Sequence, residues 1–88
     1  LRPVAKLVDP DSGRVMEVAT TEAAVQLYTG NNLRGQTGKE GRTYAPFGGV
    51  CLETQNYPDA PNHAAFPSIE LHPGQTYRQT TVHRFTTA

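Results

Sequence analysis

An antiparallel β-sandwich is the fold class this sequence predicts, and three observations carry the prediction. Short runs rich in β-branched and aromatic residues recur along the chain with side chains alternating between apolar and polar. Glycine and proline clusters separate these runs. No stretch shows a convincing 3.6-residue apolar period. Residues 4–8 and 14–20 read as paired strands. The turn between them, Asp9-Pro10-Asp11-Ser12-Gly13, suits a type I turn closed by a left-handed glycine. Thr21-Glu22-Ala23-Ala24 could open a short helical turn, since Thr21 can cap and alanine favours helix. Residues 25–29 form the next strand, with Val25, Leu27 and Thr29 on one face and Gln26 and Tyr28 on the other.

Residues 30–49 hold six glycines and few apolar side chains, so a long surface connection is expected there. Gly48-Gly49 leads into a strand at residues 50–55. Pro58, Pro61 and Pro67 then fix three φ angles and predict a stiff, accessible loop. A short strand at 68–71, a turn at His72-Pro73-Gly74-Gln75 and a final strand over 76–85 complete the reading.

Composition bounds what such a chain can do. Leu, Ile, Val and Phe make up only 17 of 88 residues and tryptophan is absent, which is at the level that marks a weak core. Eight basic and eight acidic residues cancel, so neither a nucleic-acid face nor a polybasic membrane patch is expected. No apolar run is long enough to span a bilayer. The single cysteine, Cys51, cannot form an internal disulfide and reads as a buried, inert thiol in a reducing, cytoplasmic setting. A chain of this length with so little core and no staple reads as the C-terminal piece of a larger β-domain, and it begins at Leu1 rather than methionine.

Most candidate chemistry dissolves on inspection. His63, His72 and His83 are spaced by nine and eleven residues, which matches no metal-ligand pattern and leaves no metal expected. Asp9, Asp11 and Gly13 are too close together for a calcium loop and serve a hairpin. Gly35, Gly38 and Gly41 precede no helix and cannot be a phosphate cradle. Glu53 and Gln26 differ, because each is a polar residue at mid-strand between apolar neighbours. Either Glu53 is a solvent-facing residue of a one-sided sheet, or it lines a cleft where desolvation makes it a better base. Were both strands adjacent in one sheet, the carboxylate and the amide would face a polyhydroxylated ligand together.

Several segments resemble the C-terminal end of the aldose 1-epimerases. They are Ser12-Gly13-Arg14-Val15-Met16-Glu17-Val18 through Thr20-Thr21-Glu22, then Val25-Gln26-Leu27-Tyr28-Thr29-Gly30-Asn31, then Cys51-Leu52-Glu53-Thr54-Gln55-Asn56-Tyr57-Pro58-Asp59-Ala60-Pro61-Asn62-His63. Phe66-Pro67-Ser68 and Leu71-His72-Pro73-Gly74-Gln75-Thr76-Tyr77 extend the likeness. The resemblance implies one 88-residue segment of a single large β-sandwich domain, roughly four times as long, with the upstream part missing. It implies interconversion of the α and β anomers of free aldoses such as galactose and glucose, with no cofactor or metal. Glu53 falls at the family's general base and Gln26 at a substrate-contacting glutamine. The family's two active-site histidines, a sugar-binding arginine and an aspartate belong upstream, so the isolated segment is expected to be inactive. The expected partners are thus the aldose and the rest of the parent chain, with no nucleic acid and no membrane. Asn32, Phe47 and Ala64-Ala65 depart from the family pattern. Two other readings stay open: a non-catalytic sugar-binding β-sandwich, and a sugar-phosphate epimerase using Arg34, Lys39 and Arg42 for the phosphate.

Overall fold

Five strands, all antiparallel, organise the computed structural model, which describes all 88 residues. β1 (Arg2–Val8), β2 (Arg14–Thr20) and β5 (Thr81–Thr87) form one sheet in the order β1-β2-β5. β3 (Ala24–Tyr28) and β4 (Cys51–Gln55) form a separate two-stranded ribbon. The only helical pieces are 3-10 turns at Lys39–Gly41 and Ala60–Asn62. The all-β antiparallel class expected from the alternation therefore holds. No helix is long and apolar enough to cross a membrane.

The β1–β2 hairpin is built by its turn. Gly13 sits at φ +75°, a conformation a Cβ disfavours, and its N–H donates to Asp9 C=O at 2.8 Å. Asp9 braces the loop from inside: Oδ1 accepts from the Asp11 N–H at 3.2 Å, and Oδ2 accepts from the Ser12 hydroxyl at 2.6 Å. Those donors, the Ser12 hydroxyl first, hold the Asp9 carboxyl below the usual aspartate range. β1 carries an irregularity between Pro3 and Ala5, where the register slips by one residue. Across β2 and β5 the pairing is regular, and Glu17 faces Arg84 directly with an ion pair at 2.9 Å.

The corner between β2 and β3 is tied by side chains rather than by helix. Thr20 is fully buried, and its hydroxyl accepts from the Glu22 N–H at 3.1 Å, a turn of the Ser/Thr type. This replaces the helical turn expected at 21–24, because a threonine hydroxyl offers the backbone a local partner that competes with helix. Arg2 reaches over and donates to Glu22 C=O at 3.0 Å. The Glu22 side chain is only 5% exposed and accepts from the Tyr77 hydroxyl, a bond that raises the tyrosine's pKa.

Two expected strands change. Residues 68–71 have no strand partner, and Glu70 N–H turns instead to the Ser68 hydroxyl at 3.2 Å. The final strand starts at Thr81 rather than 76. Residues 76–80 are spent on the corner: Thr21 N–H donates to Thr80 C=O and Thr80 N–H to Thr21 Oγ1, both at 3.0 Å. The connection at 30–49 is more ordered than expected. It contains an antiparallel bridge between Thr37 and Thr43, and the N–H groups of Leu33 and Phe47 both donate to Gly30 C=O, closing its base.

A line of threonine hydroxyls joins ribbon to sheet. Thr81 Oγ1 donates to Gln79 at 2.9 Å, which leaves it to accept from Thr54 of β4 at 3.0 Å. Thr20 of β2 lies 3.0 Å from the same oxygen. Little apolar material is enclosed beside this link. Only six residues are buried, among them Val15, Val18 and Ala60, and the radius of gyration is 16.7 Å. A compact chain of this length would have roughly 12 Å.

Two outcomes test these contacts. Thr81→Val strips the shared hydroxyl from three partners and is expected to lower the unfolding free energy by about 1 kcal/mol, read from urea denaturation. For Asp9, the lowered folded pKa means stabilisation that is present above the unfolded value of about 3.9 and lost as pH falls through the folded value. A carboxyl-carbon NMR titration should therefore place Asp9 below an ordinary aspartate, and Ser12→Ala should move it upward.

Candidate functional site

The β3–β4 ribbon brings the two sequence-predicted site residues together. Its register pairs Ala24 with Gln55, Gln26 with Glu53 and Tyr28 with Cys51, with Val25–Thr54 and Leu27–Leu52 between them. Directly opposed residues share a face, so Gln26 and Glu53 stand side by side with Cβ atoms about 5 Å apart. The ribbon is two-faced. Val25, Leu27, Leu52 and Thr54 lie on the side tied to Thr81, while Gln26, Glu53 and Gln55 lie on the other.

Glu53 is exposed and takes part in no ion pair of the chain; the pairs are Arg42–Glu40, His63–Asp59, His72–Glu70 and Arg84–Glu17. The strand around it is less buried than its apolar run implies, since Leu27 opposite Leu52 is 57% exposed. Gln26 is also exposed, and its amide nitrogen donates to Leu27 C=O at 3.3 Å. At one end of the face, the Tyr28 hydroxyl accepts from the Asn32 N–H at 3.3 Å, fixing the start of the long β3–β4 connection. Chemically, the face offers one carboxylate able to accept a proton and amides able to donate and accept.

Cys51 differs from expectation: it is exposed, because position 51 projects to the polar side of the ribbon. The histidines stay apart. His63 contacts Asp59 at 3.2 Å and His72 contacts Glu70 at 3.3 Å, both at the surface, and no three His, Cys, Asp or Glu side chains assemble into a metal-sized cluster. Arg34, Lys39 and Arg42 are exposed on the long connection, with Arg42 facing Glu40 at 3.7 Å. A surface concavity of about 540 Å³ crosses β1, β2 and β5, and neither Gln26 nor Glu53 lines it. The buried Glu22–Tyr77 pair escapes a reading from sequence spacing, since 55 residues separate its members. Its one local signal is the Thr20-Thr21-Glu22 corner.

An all-β chain presenting a carboxylate beside an amide on one ribbon face falls in the broad class able to hydrogen-bond a polar ligand. Comparison with known proteins narrows that class. Residues 1–84 match the aldose 1-epimerase family, and the chain belongs to it. It is 53% identical over 78 residues to a galactose mutarotase of Rattus norvegicus and equally to one of Homo sapiens; each alignment covers 88% of this chain and 23% of the relative. An aldose 1-epimerase of Haemophilus influenzae is 40% identical over 82 residues, covering 90% of this chain and 24% of that protein. The chain thus spans about a quarter of the length of the curated relatives it matches.

Proposed function

We propose that this chain is the C-terminal segment of an aldose 1-epimerase, supplying the general base Glu53 and the substrate-binding amide Gln26. The observation that carries the reading is the direct pairing of these two residues on one face of the β3–β4 ribbon. A base must lie within hydrogen-bond reach of the proton it takes and be held by a rigid element, and a strand rung meets the second demand. The near-absence of a private core and the large radius of gyration support a segment that completes a larger β-domain. Galactose, the sugar in the relatives' names, is the first substrate to test, with glucose beside it.

The chemistry balances in three steps. Glu53 takes the proton of the anomeric hydroxyl as the bond from C1 to the ring oxygen breaks. A proton from an acid elsewhere in the parent protein, expected to be a histidine, goes to the ring oxygen and gives the open aldehyde. Rotation about the C1–C2 bond followed by the reverse proton transfers closes the ring as the other anomer. Gln26, on the same rung of the neighbouring strand, holds a sugar hydroxyl so that C1 stays over the base. No redox change or group transfer is involved.

In the full-length protein carrying this segment, Glu53→Gln keeps a hydrogen-bonding group but cannot accept the proton. Polarimetry on fresh α-galactose is expected to show kcat reduced about 10²- to 10⁴-fold with KM changed little. A variant turning over at nearly the parent rate would falsify the assignment of the base. Sugar affinity without any mutarotation in the parent protein would instead indicate a binding module.

A further inference from the structure

Beyond Gln26 and Glu53, the same face carries a third polar side chain with no role in the proposal above. Gln55 lies two residues along β4 from Glu53, so their side chains project to the same side about 7 Å apart. Its rung partner is Ala24, the smallest side chain on that face. Gln55 is half-buried, whereas Glu53 and Gln26 are exposed. No hydrogen bond within the chain engages its amide, although Gln26, Gln36, Gln75 and Gln79 all use theirs. The opposite end of the face is built differently: the Tyr28 ring stands across from Cys51, and its hydroxyl is engaged by Asn32 N–H.

This asymmetry sets a direction. A ring whose C1 hydroxyl sits at Glu53 has on one side a rung whose tyrosine hydroxyl is already engaged, and on the other a half-buried rung whose amide bonds nothing within the chain. We propose that Gln55 is a specificity-determining residue of the site, its amide bonding a sugar hydroxyl remote from the anomeric carbon. The spacing of about 7 Å along the strand is comparable to the span of a pyranose ring. An amide can donate to one lone pair and accept the proton of a hydroxyl, so it reads the direction in which that hydroxyl points. The inference rests on Glu53 being the base and deepens that reading by naming the ligand of the far end of the sugar.

The test uses the full-length protein carrying this segment, with polarimetry on galactose, glucose and their single-position deoxy analogues. Gln55→Ala is expected to raise KM about three- to tenfold for the parent sugar, the worth of one neutral hydrogen bond, with kcat within about twofold. For one deoxy analogue the penalty should vanish, since its missing hydroxyl is the one Gln55 holds. Gln55→Glu preserves shape should the alanine variant fold poorly. It keeps an acceptor but loses the amide's donor, and is expected to raise KM. Unchanged KM for every sugar in both variants, with Glu53→Gln inactive, overturns the role of Gln55 and leaves the base standing. Full activity of Glu53→Gln removes the reading beneath it.

Discussion

The placement of the β3–β4 ribbon against the three-stranded sheet rests on a cluster of threonine hydroxyls between the two. Thr54 belongs to the ribbon that carries Glu53, Thr81 and Thr20 to the three-stranded sheet, and their oxygens meet at 3.0 Å. With few apolar side chains enclosed, hydrophobic burial alone does not orient the ribbon. A hydroxyl has one proton to give, so the donation from Thr81 to Gln79 dictates that Thr54 donates to Thr81. The contact itself, made through Thr54, turns the Val25, Leu27 and Leu52 face of the ribbon toward the sheet. Because strand side chains alternate, it also fixes Gln26, Glu53 and Gln55 on the face turned away.

The corner at Thr20-Thr21-Glu22 reinforces this. It turns the chain from one sheet into the other within three residues, and it gathers Arg2 from the first strand and Tyr77 from the approach to the last. A carboxylate buried to 5% exposure is costly unless hydrogen-bonded, and the Tyr77 hydroxyl meets that need. The start of β3 is thereby anchored to segments distant in sequence, and Gln26 lies four residues beyond the anchor.

Much of the architecture was legible from sequence because period-two alternation is a local property. β2 and β4 fall where the residues place them, the Asp9–Gly13 turn closes on a left-handed glycine, and Gln26 and Glu53 emerge on a shared face. What was not legible depended on partners. Residues 68–71 have strand-like composition but no neighbouring edge to pair with, and residues 76–80 give up strand geometry to serve the corner. Cys51 belongs to an apolar run that looks buried, yet parity puts it beside Glu53 in the open. The pairing of Glu22 with Tyr77 is invisible to any local window.

The two margins of the three-stranded sheet are unequal. On β1, Pro3 lacks an N–H and the adjacent register slip bends the strand, both of which obstruct recruitment of another strand. β5 keeps an unbroken register with β2 over seven residues with neither proline nor bulge, and no strand of the chain pairs with its outer side. Addition of a strand to this sheet is therefore easier along β5 than along β1. A docking strand, or an errant one from an aggregating neighbour, would meet a ready template along Thr81–Thr87 and a blunted one along Arg2–Val8.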